Sequence, residues 1–172
     1  MPIEDKKPSQ HWATIRLTLE KYIKTLPLYE CSVDICYDFL REGLFKQLVA
    51  GRKSLYYIGC RDLQTQFLKE FNLNEVFAYH ITPEKKFTSA DTGIEIYPEA
   101  VLRVERWMQK ANPQGQLLFV GAGVFGKIFC NWWRDLGGQA FDIGSVMDEW
   151  AGCVTRGKDR MLDLVKQSKY TL

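Results

Sequence analysis

The sequence predicts an α/β fold: a Rossmann-like parallel sheet with helices on both faces, preceded by an N-terminal helical segment. Three observations carry this expectation. From residue 51 onward, four short apolar runs alternate with stretches of helical periodicity, and strands joined through helices by right-handed crossovers make a parallel sheet. The first run, Leu55 to Ile58, is nearly continuous in apolar residues, as suits a strand buried on both faces. The first 50 residues show only the three-and-four spacing of amphipathic helices. The expected organisation is therefore 1–50, an arm and helices packing on the core, and 51–172, an α/β domain, together one compact domain.

Taken in order, Met1 to Gln10 holds two prolines and alternating charges and reads as a loose arm. Trp12, Ile15, Leu19, Tyr22, Ile23 and Leu26 then mark a helix that Pro27 ends. A second helical segment starts near Ser32, breaks at Gly43 and stops at Gly51. Ser54 to Ile58 is the first strand, Asp62 to Phe71 a helix with Leu63, Phe67 and Leu68 inward, and Val76 to Ile81 the second strand. Thr82 to Tyr97 is a long polar loop, long enough to be functional. Glu99 to Lys110 is a helix, Leu117 to Val120 the third strand, Phe125 to Leu136 a helix, and Gln139 to Ile143 the fourth strand. A last helix is expected over Met161 to Val165.

Composition excludes several classes of function. The balance of 23 basic against 21 acidic residues, a net charge of +2, lacks the basic excess of a nucleic-acid binder. No apolar run approaches the roughly 20 residues that cross a bilayer, and the polar start is unlike a secretory signal, so a cytoplasmic protein is expected. A homo-oligomer or a partner protein stays open. The five cysteines form no C-x-x-C pair and there are only two histidines, which leaves a zinc site few ligands; the cysteines read as small core residues or free thiols.

In a parallel sheet, ligands collect at the carboxyl ends of the strands. The third strand runs into Gly121-Ala122-Gly123-Val124-Phe125-Gly126, a G-x-G-x-x-G sequence, and then into a helix beginning near Lys127. Glycines there let backbone approach an anion while the helix N-terminus offers unpaired N–H groups, so a phosphate-bearing ligand is the first expectation. The first strand ends at Gly59-Cys60-Arg61-Asp62. The fourth ends in Asp142 to Gly152, a run with three carboxylates, a hydroxyl and two glycines. Asp142 follows Gly121 by the spacing of a ribose-binding carboxylate, which suggests an NAD(P)-binding oxidoreductase. Against that, the glycine loop comes late in the chain, with too few residues after it for a complete dinucleotide enzyme. The glycines also admit a purely structural reading, close strand-to-helix packing. Arg61 and Asp62 are divided between binding phosphate and ribose and pairing with each other to cap the next helix, with the cap favoured; His80 reads as a satisfied core histidine rather than a base, and one of Trp132 and Trp133 as core. Trp150 is divided between stacking on a sugar and packing against the last helix.

The runs Leu118 to Ile128 and Leu136 to Gly152 resemble the carboxyl-terminal part of bacterial GT-D-type glycosyltransferase domains, and the resemblance extends over roughly Gly51 to Gly152. It implies transfer of a sugar from a nucleotide-sugar donor, assisted by Mn or Mg, to a glycan or glycoprotein acceptor in surface glycan assembly. Under it, Gly59, Gly121, Gly123, Gly126 and Lys127 bind the donor's phosphates, Asp142 and Ser145 hydrogen-bond at the rim, and Asp148 or Glu149 is the catalytic base. Members of that family carry an R-F-G-D-G-E run whose acids hold the metal. This chain lacks it, which leaves the metal ligands unknown and allows a partner-dependent or diverged enzyme. A non-catalytic interaction module that kept the sheet is the remaining alternative.

Overall fold

The structure is a computed structural model, and it describes residues 35–83 and 96–153. All of these belong to one compact unit that begins at residue 34. The first expected helix, most of the loop after the second strand and the expected last helix lie outside the described residues.

Two short helices come first, α1 (Ile35–Arg41) and α2 (Leu44–Val49). They are separated where Gly43 takes φ 66°, a conformation that glycine adopts without a Cβ clash. Then follow β1 (Ser54–Gly59), α3 (Gln64–Glu70) and β2 (Glu75–His80). A π-helical turn (Ile96–Ala100) leads into α4 (Val101–Lys110), which is followed by β3 (Leu117–Gly121). A 3₁₀ turn (Gly123–Phe125) opens α5 (Gly126–Asp135), and β4 (Gln139–Asp142) and α6 (Val146–Trp150) close the described chain. Each of the four strands lies within a residue or two of its expected position.

The strands form one parallel sheet in the order β2-β1-β3-β4. The chain therefore moves one way from β1 to β2 and the other way through β3 to β4. Right-handed crossovers then require the connecting helices to change face, and they do. Along β1, Leu55 and Tyr57 join one core cluster while Tyr56 and Ile58 join the other; along β3, Leu117 and Phe119 separate from Leu118 and Val120 in the same way. The first cluster takes Phe45 and Val49 of α2, Phe67 of α3 and Trp150 of α6. The second takes Val104 and Met108 of α4 and Phe129 and Trp133 of α5. Both central strands are thus covered on both faces, which explains why the residues of β1 read as a continuous apolar run.

Side-chain hydrogen bonds tie the amino-terminal ends of the strands. Arg52 donates to Gln139 Oε1 at 2.6 Å and to the Gly115 carbonyl at 3.1 Å, and Ser54 Oγ donates to Gln116 Oε1 at 3.0 Å. Of the two adjacent tryptophans, Trp133 is fully buried, packs on Tyr56 with ring centroids 5.0 Å apart, and donates its indole N–H to the Gln116 carbonyl at 3.1 Å. Trp132 is only half-buried. His80 departs from expectation: it is exposed, because β2 is an edge strand and its last residue extends beyond the cover of α3. The four described cysteines are partly buried, and Cys60, Cys130 and Cys153 carry free thiols. No helix among the described residues is long and apolar enough to cross a membrane.

The two tryptophans make a direct stability comparison. Trp133→Ala is expected to cost about 3–5 kcal/mol, through lost burial and the loss of the indole hydrogen bond to the Gln116 carbonyl, which keeps the Gln139 N–H, while Trp132→Ala should cost well under half of that. Urea unfolding monitored by circular dichroism measures both; equal losses would refute this account of the α5 packing.

Candidate functional site

The carboxyl ends of β1 and β3 define the point where the strand order reverses, the crevice in which open α/β sheets bind ligands. Here Gly59 and Gly121 are register partners. With no side chains, the paired strand ends leave a notch, and Met147 of α6 fills it. A Cβ on Gly59 would collide with Met147 Sδ; one on Gly121 would lie 2.9 Å from that sulfur and 3.1 Å from the Gly144 carbonyl oxygen. Both glycines are therefore explained by the close approach of α6. Gly126 has a similar reason, since its Cβ would meet Asp142 Oδ2 at 3.0 Å.

Beside Met147 lies a cavity of about 100 Å³. One wall is polar and includes Cys60, Arg61, Ser145 and Asp148, with the backbone turn Gly121-Ala122-Gly123 next to them. The opposite wall is apolar, built from Val101 and Val104 of α4 and Phe125 and Phe129 at the start of α5. Gly123 takes φ 55°, which carries the chain sharply from β3 into the 3₁₀ turn.

Arg61 is the one cation lining the cavity among the described residues. Its Nε donates to Asp148 Oδ1 at 2.8 Å, and this bond is the main cause that raises the guanidinium above its ordinary pKa. The expected pair of Arg61 with Asp62 does not form. Asp62 instead accepts a 3.4 Å hydrogen bond from the Gln64 backbone N–H at the start of α3, a local contact that leaves Arg61 free to reach across to α6. The Cys60 thiol is pushed up by burial, and Cys130, outside the cavity, is pushed up to about 12 by the same cause. Neither is a ready thiolate at neutral pH.

Of the residues singled out from sequence, Gly121, Gly123, Ser145 and Asp148 come together at the cavity. Gly59 and Gly126 are buried under Met147 and Asp142. Lys127 and Asp142 form an ion pair with each other, and Asp142 Oδ1 also accepts the Gly144 N–H at 3.2 Å. Both are engaged away from the cavity wall. The Ser145 hydroxyl hydrogen-bonds the Tyr37 hydroxyl at 2.6 Å, fixing α6 to α1. Glu149 does not line the cavity; its Oε2 is buried without a hydrogen bond, and burial, then the neighbouring Asp148, raises its pKa. Trp150 packs in the core, 5.0 Å from Phe45 and 5.1 Å from Phe67 between ring centroids. Asp91 and Glu95, two acids within the expected loop Thr82 to Tyr97, lie outside the described residues.

The described donor set at the cavity does not suit a divalent metal. A hard cation needs several oxygen ligands, whereas among the described residues Asp148 is the one carboxylate lining it and is bonded to Arg61. Among the described residues no group of three or more His, Cys, Asp or Glu side chains is disposed to hold a metal ion. Met147 is the residue whose role was invisible in the sequence. Its signal is the lateral pairing of Gly59 with Gly121, which exists only once the strand register is known.

Two measurements follow from this geometry. Gly121→Ala is expected to destabilise by about 1–3 kcal/mol, as overpacked cores do. Adding Met147→Ala should relieve Gly59→Ala more completely than Gly121→Ala, because the Gly144 backbone also blocks the latter; a double-mutant cycle in urea reads the difference. For Glu149, a raised carboxyl pKa means the folded state binds its proton more tightly. The stability so gained is present at low pH and is lost as pH rises through the folded value. Glu149→Gln should therefore raise the melting temperature at pH 7 relative to the parent, with the gain vanishing near pH 3. Compared with known protein families, with curated proteins and with solved structures, the chain matches none.

Proposed function

We propose that the chain is a glycosyltransferase-like protein that binds a nucleotide-sugar donor over the carboxyl ends of β1 and β3. The observation that carries this reading is the cavity at the reversal of strand order, where Arg61 stands beside the turn Gly121-Ala122-Gly123. A guanidinium offers a planar fork of donors to a phosphate. The Nε of Arg61 is used on Asp148, and its Nη groups have no hydrogen bond among the described residues. Arg61 thus takes the part of phosphate cation in place of Lys127, whose amine is held by Asp142. The apolar wall of Val101, Phe125 and Phe129 suits the ring of a sugar or base. The likeness of residues 118–128 and 136–152 to GT-D-type domains supports the same class of ligand.

In the transfer, the bond between the sugar's anomeric carbon and the diphosphate oxygen breaks while a bond to an acceptor hydroxyl oxygen forms. The diphosphate keeps the electron pair of the broken bond, and the hydroxyl proton passes to a carboxylate. Among the described residues Asp148 is the carboxylate that lines the cavity, so it takes that role in preference to Glu149. No step is routed through a metal. An NAD(P) enzyme is disfavoured because a ribose diol would have to displace Lys127 and the Gly144 N–H from Asp142. A binding module that holds the same ligand without transferring its sugar is the second reading, favoured by the engagement of Asp148 with Arg61 and by the lack of a metal-ligand group among the described residues.

Thermal melts in the presence of UDP, GDP, CDP, UDP-sugars, NAD and NADP, with and without manganese, test the proposal. One nucleoside diphosphate or its sugar at a hundredfold excess over Kd should add about 2.7 kcal/mol, roughly 5–10 °C for a chain of this size. Arg61→Ala and Gly123→Val should each remove that shift. A shift with NAD or NADP alone would overturn the proposal, and binding without release of nucleoside diphosphate in the presence of acceptors would select the binding module.

A further inference from the structure

We propose that β2 is a docking edge for a second copy of this chain, which adds its own β2 antiparallel about a two-fold axis at Ala78 and joins the two four-stranded sheets into one. The inference is independent of the cavity and of its ligand.

Among the described residues β2 and β4 are the edges of the sheet, and they are unequally protected. β4 has only four residues, the carbonyl of its Asp142 accepts the Cys36 thiol of α1 at 3.2 Å, and Phe39 of α1 packs on its Phe141. β2 has six residues and none of the devices that keep edges apart: it carries no proline and no lysine, and its register with β1 runs without a bulge. Glu75 and Ile81 turn their N–H groups to the Lys53 and Gly59 carbonyls, so in this parallel ladder the odd-numbered residues bond β1, while Val76, Ala78 and His80 turn their backbone groups outward. Gln64 of α3 occupies the Val76 carbonyl at 3.0 Å. The other outward groups have no hydrogen bond among the described residues. On the face shared with α4, Phe77 stacks on Tyr56 yet stays 38% exposed.

This edge is its own complement. In an antiparallel pair, opposed residues alternate between those that exchange both backbone bonds and those that exchange none and bring their side chains closest. With the axis at Ala78, that residue exchanges both bonds with the copy's Ala78, and the Val76 N–H meets the copy's His80 carbonyl. An axis at Phe77 would instead set the occupied Val76 carbonyl against the Ala78 N–H in the central pairs. The Ala78 register also places Phe77 against the copy's Tyr79, twice by symmetry, in the close pairs where aromatic side chains contribute most. Charge favours the same direction: the Glu75 end of each strand lies beside the His80 end of the other, a carboxylate near an imidazole rather than two carboxylates together. Such a contact is isologous and closes at two copies.

Sedimentation velocity of the full chain across micromolar concentrations tests the pairing. The parent should reach twice the mass of one chain. Ala78→Pro, which deletes an outward N–H that the sheet does not use, should stay monomeric. Phe77→Lys and Tyr79→Glu should each be monomeric alone, because a charge then faces an aromatic ring across the axis. An equimolar mixture of those two should recover the dimer, since the introduced lysine of one faces the introduced glutamate of the other while the remaining Tyr79 and Phe77 pair as before. Val124→Lys, at an exposed apolar residue of the 3₁₀ turn before α5, should leave the mass unchanged. Thermal melts of every variant verify folding. A parent that stays monomeric, a species larger than two chains, β2 variants that keep the dimer, or dissociation by Val124→Lys would each overturn the proposal. Variants that dissociate alone and fail to recover on mixing overturn the pairing centred on Ala78.

Discussion

The seating of Met147 against Gly59 and Gly121 is the contact on which the rest of this structure depends. Two strand ends without side chains, side by side in register, leave a recess that an unbranched, flexible thioether fills well. Seating Met147 there fixes the orientation of α6, a helix of only five residues that could not hold itself together in isolation. Each remaining side chain of that helix then has its direction set. Val146 and Trp150 enter the core between α2, α3 and β3, and Asp148 reaches Arg61 across the end of β1. Ser145, just ahead of the helix, meets Tyr37 of α1. The cavity is the space left between this docked helix and the starts of α4 and α5, so its shape is a consequence of how α6 is held.

The sheet and its helices were legible because their causes are local. A run such as Leu55 to Ile58 can only be buried on both faces, and the break at Gly43 shows in the sequence as the residue that tolerates a left-handed turn. The strand-end loops were also legible as a group, since topology alone puts them at one edge of a parallel sheet. What could not be read were the partnerships across that edge. Arg61 chooses Asp148, 87 residues away, over the adjacent Asp62, and Lys127 turns to Asp142 rather than to the cavity. His80 was misjudged because the strand order, which makes β2 an edge, is a long-range property. Side chains at equal distance from a strand end in the sequence thus separate into cavity wall, ion pair and core.

The cavity joins two chemistries that a single ligand must satisfy together. Its apolar side belongs to the same cluster that packs α4 and α5 on the sheet, so Val101, Val104 and Phe129 serve both the core and the wall. Its polar side is held from the opposite face of the sheet, through α6. A ligand spanning both sides would bridge elements that pack on opposite faces of the sheet. Under the proposed reading, the aromatic side takes a ring portion and the guanidinium a compact anion, as a nucleotide or a phosphorylated sugar offers.

The three glycines of G-x-G-x-x-G make plain why that pattern is weak evidence by itself. Gly121 is needed so that α6 can approach, Gly123 because the chain turns there with a positive φ, and Gly126 because Asp142 lies against the first turn of α5. Only Gly123 owes its place to the turn that faces the cavity; the other two have close neighbours that account for them if the protein bound nothing. The pattern therefore reports a tight strand-to-helix junction at a crevice, and the ligand is decided by what surrounds it. In this chain that decision falls to Arg61, the one cation on the described wall, and to the carboxylate that the docking of α6 brings to its side.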